Sequence, residues 1–70
     1  MDVRVRIGLN VQRLRRGKDW SQEELAARAE VHQTYLSGVE RGKRNASVLV
    51  LERIAKALGV DVVDLLAKRR

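Results

Sequence analysis

Residues 21–42 read Ser21-Gln22-Glu23-Glu24-Leu25-Ala26-Ala27-Arg28-Ala29-Glu30-Val31-His32-Gln33-Thr34-Tyr35-Leu36-Ser37-Gly38-Val39-Glu40-Arg41-Gly42, and they contain two helix starts in close succession. Ser21 and Glu24 form an S-x-x-E capping box, in which each side chain accepts a hydrogen bond from a backbone N–H at the helix start. Trp20 before the cap and Leu25 after it have the spacing of a hydrophobic staple. Together they predict a short helix running through Leu25-Ala26-Ala27-Arg28-Ala29, whose small alanines allow another helix to approach closely. Val31 and Leu36 repeat the staple spacing around an N-cap at His32. The second helix then runs to about Arg41 and stops at Gly42. Leu36 and Val39 form its inward side. Gln33, Thr34, Ser37 and Gly38 face outward, and they lack the long charged side chains of an ordinary solvated face.

Three more helices follow outward from this pair. Before it, Ile7, Val11 and Leu14 recur at i, i+4 and i+7, predicting a helix from about Arg4 to Arg16 with Arg6, Arg13 and Arg16 turned away from the core. Gly8 weakens that helix slightly, and Gly17 is its natural stop. After the pair comes a basic loop, Arg41-Gly42-Lys43-Arg44-Asn45. Ser47 then caps a helix with Val48, Leu51, Ile54, Ala55 and Leu58 at core spacing and Gly59 as its end. Val60 and an Asp61 cap begin a last short helix containing Val62, Val63, Leu65 and Leu66, and the tail Lys68-Arg69-Arg70 is expected to fray. The reading is all-α, with five helices in a single domain over residues 1–70.

Composition narrows the function. Seventy residues give a marginal core, and with no cysteine there are neither disulfides nor thiolate metal sites to stabilise it. Helix packing or dimerisation must do so instead. Fifteen Lys and Arg against nine Asp and Glu leave a net charge of +6, which favours a polyanionic partner. Trp20 and Tyr35 are the only aromatics, too few for a single-strand binder that stacks bases. The longest apolar run, Val48 to Leu51, cannot cross a bilayer, and the start MDVRVRIGLN has no signal-peptide core. No membrane association is expected, and a cytoplasmic location is. His32, the one histidine, reads as a helix cap or a phosphate neighbour rather than a catalytic base. Without a motif that would give it partners in a cleft, no enzyme, no metal and no cofactor are expected.

Double-stranded DNA is the partner the helix pair suits. Two short helices joined by a few residues, the second presenting Gln, Thr and Ser, suggest a helix-turn-helix at about residues 21–41. An α-helix fits the major groove; there Gln can pair bidentately with adenine, and Thr offers a methyl and a hydroxyl to thymine. Helix N-termini and the lysines and arginines of flanking loops hold phosphates and fix the register.

Ser21-Gln22-Glu23-Glu24-Leu25-Ala26, then Thr34-Tyr35-Leu36-Ser37-Gly38-Val39-Glu40-Arg41-Gly42, resembles the phage-repressor/Cro-like (XRE) helix-turn-helix family. Arg44-Asn45-Ala46-Ser47 and Leu51-Glu52-Arg53-Ile54-Ala55-Lys56-Ala57-Leu58-Gly59-Val60 continue the match, which covers about residues 7 to 66. T-Y-x-S-G-x-E-R followed by R-N looks especially like the controller proteins of restriction-modification systems. The resemblance implies a compact five-helix lambda-repressor-like DNA-binding domain that regulates transcription as a repressor or controller. It implies base reading by Gln33 and Thr34, with Ser37 and Gly38 further along the groove face. Gln22 would clamp a phosphate, Tyr35 would lie near the backbone, and Lys43, Arg44 and Asn45 would form the phosphate-contacting loop. It also implies an ion pair between Arg15 and Glu40. Two positions depart from the family pattern. Glu30 stands where the inter-helix turn often has Gly, so the turn is expected to lack a left-handed residue. Gly38 stands where many members carry a long base-reading side chain, so either that contact is lost or the backbone approaches closely.

Leu49 and Val63 occupy positions where the family often has polar residues, and Leu66 extends that apolar arc. Three such residues are expected to make an isologous face, giving a homodimer on a two-fold symmetric operator. The alternative is that they seat a partner protein, as in an antitoxin-like interaction module that also autoregulates. Binding of nucleic acid or anionic membrane by charge alone is the third reading.

Overall fold

The computed structural model describes residues 2–68, and local chemistry explains most of its element boundaries. Helices α1 (Val3–Gly17), α2 (Gln22–Ala29), α3 (Gln33–Glu40), α4 (Val48–Leu58) and α5 (Val62–Leu66) follow in order, with no strand among the described residues. The Asp2 side chain accepts from the Arg4 backbone N–H at 2.8 Å, so α1 starts slightly before the apolar repeat does. The Arg4 guanidinium also donates to that carboxylate, and its hydrogen bond is the main reason the Asp2 pKa falls to about 2.

The structure corrects the sequence reading at several ends. Gly17 is not the turn residue: it lies in the last turn of α1, and Asp19 takes the left-handed conformation at φ 58. At Ser21 only half of the capping box forms. Ser21 Oγ accepts from the Glu24 N–H at 3.0 Å, whereas the Glu24 carboxylate pairs with Arg28 one turn along at 2.6 Å. A complete box appears instead at Asp61 and Asp64. The turn between α2 and α3 does contain a left-handed residue, Glu30 itself (φ 59, ψ 46). The Val31 N–H bonds back to Ala26 O and the Glu30 N–H to Ala27 O, the Schellman pattern. Arg53 of α4 donates to the Glu30 carbonyl. These bonds offset a backbone strain of about 1–2 kcal/mol for a side chain in that region.

Val11, Leu25, Leu36, Ile54 and Leu65 are completely buried at the centre, with Ala26, Ala29, Leu51, Ala55 and Leu58 around them. Val48 is not part of this core. It is 72% exposed at the first position of α4, and Ala46 and Val50 make the apolar contacts there. Lys68 lies within the described residues; the rest of the tail expected to fray, Arg69-Arg70, lies outside them.

Two residues of α1 set how the helices meet. A Cβ on Gly8 would lie 2.6 Å from the carbonyl oxygens of Val39 and Glu40, so only glycine lets α1 cross α3 this closely. The amide of Asn10, buried, donates to Leu65 O and Ala67 O at 2.8 Å each. It thereby satisfies carbonyls that the end of α5 leaves without a helical partner.

Candidate nucleic-acid interface

The outward side of α3 is built from its inward side. Leu36 and Val39, at most 2% exposed, fix the rotation of the helix, and Gln33 and Thr34 are consequently left exposed at its first turn. Ser37 is half-buried. His32 occupies the N-cap but makes no side-chain cap bond, so the first-turn N–H groups of α3 remain open to an anion.

A buried polar cluster locks this helix to the rest of the domain. Arg15 Nε donates to Glu40 Oε2 at 2.8 Å and Arg15 Nη2 to Oε1 at 3.0 Å, a bidentate pair between α1 and α3. Arg15 Nη1 also donates to Trp20 O at 2.8 Å, and Gln12 Nε2 donates to Glu40 O at 2.6 Å. Glu40 is 3% exposed, so the charges depend on each other: removing one leaves the other buried and unpaired. Gln22, expected at a phosphate, is half-buried and donates to Glu40 Oε1 at 3.0 Å. An amide has two N–H donors, so one remains for a phosphate.

Gly38 departs from its expected place on an open groove face. It is buried beneath Arg44, whose Cγ lies 2.6 Å from where a Cβ would stand. Arg44 from the following loop fills the space that a side chain at this position would take. Its guanidinium carbon then lies 5.1 Å from the centre of the Tyr35 ring, within cation–π range. Residues that sequence spacing assigned separately thus form one unit of Tyr35, Gly38 and Arg44. Lys43 and Asn45 are exposed on the same loop. The loop is anchored by the Lys43 N–H to Gly38 O at 2.9 Å and by Gly42, left-handed at φ 72 against Val5.

Sequence reasoning missed Gly8, Gln12 and Asn10. A signal for the first two was present, since Gly8, Gln12 and Arg15 share one helical stripe, the stripe that faces α3. Trp20, at the predicted staple, also has the Lys18 ammonium at 5.2 Å and the Arg28 guanidinium at 4.2 Å from its ring centre. Among the described residues no group of three or more His, Cys, Asp or Glu could hold a metal ion. No helix there is long and apolar enough to cross a membrane.

A helix-turn-helix family pattern matches residues 11–65, a span that includes α2, α3 and the Arg15–Glu40 pair. The chain belongs to the XRE-type helix-turn-helix family. It is 51% identical over 65 residues to the uncharacterized HTH-type transcriptional regulator y4dJ of Sinorhizobium fredii, covering 93% of this chain and 84% of that one. It is 46% identical over 66 residues to the control protein C.BamHI of Bacillus amyloliquefaciens, covering 93% and 82%. The fold matches that of the restriction-modification controller protein C.Esp1396I with a TM-score of 0.84 and 32% identity, over 93% of this chain and 86% of that one. That protein was solved as a tetramer in complex with its natural 35 base-pair operator. The family is one of DNA-binding transcription regulators, which is not a class of enzyme.

Proposed function

We propose that this XRE-family regulator acts as one helix-turn-helix domain over residues 1–70. It binds a two-fold symmetric duplex operator as a homodimer, in the cytoplasm. The observation that carries this is the first turn of α3, where accessible Gln33 and Thr34 project from a helix that Arg15 and Glu40 hold rigidly. Gln33 and Thr34 read base edges in the major groove, with Ser37 beside them. Gln22, His32, Tyr35, Lys43, Arg44 and Asn45 hold the phosphates on either side, and Gly38 contributes by seating Arg44.

The dimer face is the exposed apolar arc of Leu49 (73%), Val63 (63%) and Leu66 (40%), which Val48 extends. An isologous pairing through α4 and α5 would set two copies of α3 about 34 Å apart, one turn of duplex. The C.Esp1396I operator complex supports the reading, being an oligomer of this fold on operator DNA.

Selection from random duplexes by the purified protein at about 150 mM salt tests it, a concentration at which nonspecific phosphate binding is weakened. A palindromic motif with half-sites about one turn apart is the expected result. No enrichment by a folded protein would overturn it and turn attention to a partner protein on the same apolar arc, the antitoxin-like alternative.

A further inference from the structure

We propose that a cavity on the outer face of α1 binds a small polyanion bearing phosphate groups, of the size of a nucleoside triphosphate. Arg6, Leu9, Arg13 and Arg16 follow one another at i, i+3, i+7 and i+10 and share one helix face. The other faces of α1 are engaged: Val11 in the core, Gly8, Gln12 and Arg15 against α3, and Asn10 against the end of α5. Asn10 also holds Ala67 O, which brings the next residue, Lys68, to the rim. The result is a cavity of about 400 Å³ lined by three arginines and one lysine, with no acid among its described lining residues.

Its donors call for a ligand. The Nε atoms of Arg6 and Arg13 are both buried, and neither has a hydrogen-bond partner among the described residues. Arg13 Nη2 makes one long contact, 3.5 Å, to Asn10 Oδ1. A buried N–H without an acceptor is destabilising, and so are like charges held on one helix face. A phosphate supplies oxygen pairs that match the guanidinium fork, and several phosphates in one compact ligand answer four cations. Leu9, 47% exposed, offers an apolar wall for a sugar or base. The half-open volume is of nucleotide size, and no residue of the α3 surface or of the loop at 43–45 lines it. The site is therefore separate from the proposed operator surface and holds whether or not that proposal does.

The test uses the full chain without DNA at about 150 mM salt, where weak surface pairing is screened. ATP is titrated while arginine Nε–H and backbone amide signals are followed by NMR, with citrate as a carboxylate control. Saturating shifts confined to Arg6, Leu9, Arg13, Arg16 and Lys68, weaker with citrate, are expected. Arg6→Gln with Arg13→Gln should weaken ATP binding about tenfold or more by removing two charge-assisted contacts. Lys43→Gln with Arg44→Gln should leave it unchanged. Arg6→Gln alone, near the start of α1, provides a milder variant should the double change disturb folding. Shifts centred on α3 and the 43–45 loop, shifts spread over all exposed cations, equal citrate binding, or unaltered binding by the arginine variants would each overturn the proposal.

Discussion

Gly38→Ala separates what stabilises this domain from what arms it. Gly38 is a helix-interior position with ordinary negative φ, where alanine is favoured by about 0.5–1 kcal/mol. The new methyl would stand 2.6 Å from Arg44 Cγ, whereas carbon atoms pack comfortably at about 3.5–4.0 Å. Arg44 therefore has to move by about 1 Å or more, and it can, because the obstructing atom belongs to a flexible side chain with an exposed end. Stability should stay about level, because the cation–π contact with Tyr35 that Arg44 gives up, about 0.5–1 kcal/mol, offsets the helix-propensity gain. DNA affinity should fall. Lifting the guanidinium from Tyr35 displaces one charge-assisted phosphate contact. A loss of about 1–2 kcal/mol makes duplex binding about 5- to 30-fold weaker. Thermal melting and fluorescence anisotropy at fixed salt read the two effects separately, and in an Arg44→Ala background the Gly38→Ala penalty on binding should vanish. Unchanged affinity would refute the role given to the Arg44–Tyr35 arrangement. A fall in Tm of several degrees would refute the claim that Arg44 yields cheaply.

Gly8→Ala should behave in the opposite way, because its methyl meets two backbone carbonyls at 2.6 Å that cannot step aside; a net loss of about 1–3 kcal/mol in denaturant titration is expected. Glu40→Ala strands the Arg15 guanidinium in the interior and should cost about 3–5 kcal/mol. Replacing both partners by apolar residues of similar volume should cost much less by the same measurement. Gln33→Ala should weaken the selected operator by about 1–3 kcal/mol and relax one base position, while Arg44→Ala weakens all duplexes alike and lowers the salt slope by about one. Binding profiles over a panel of operator variants distinguish the two. Leu49→Glu, on a side chain 73% exposed, should leave the melting transition of the monomer intact and shift sedimentation equilibrium toward monomer.

The helices were legible because their signals are local. Ser21, Ser47 and Asp61 cap the helices they were read to cap, and Ile7, Val11 and Leu14 of α1, Leu36 and Val39 of α3, and Leu51, Ile54, Ala55 and Leu58 of α4 face the interior. The errors lie where a residue had more than one partner or conformation open to it, or where period alone misjudged depth. Glu24 could turn back to Ser21 or forward to Arg28, and forward prevailed. Asp19 and Glu30 could have been left-handed or not, and hydrogen bonds around each turn decided the matter in place of glycine. Val48 fitted the core period, yet at the first position of α4 it is left in solvent.

Order along the chain thus determined the five helices, the cationic balance and the accessible first turn of α3, all of which depend on neighbours within a turn or two. Only the tertiary structure decided what Gly8, Asn10 and Gly38 are for, since each answers to atoms brought in from another element: the carbonyls of α3, the end of α5, and the stem of Arg44. Periodicity tells which side of a helix turns inward. It carries no measure of how near the next helix comes, and at those three positions that distance sets the residue.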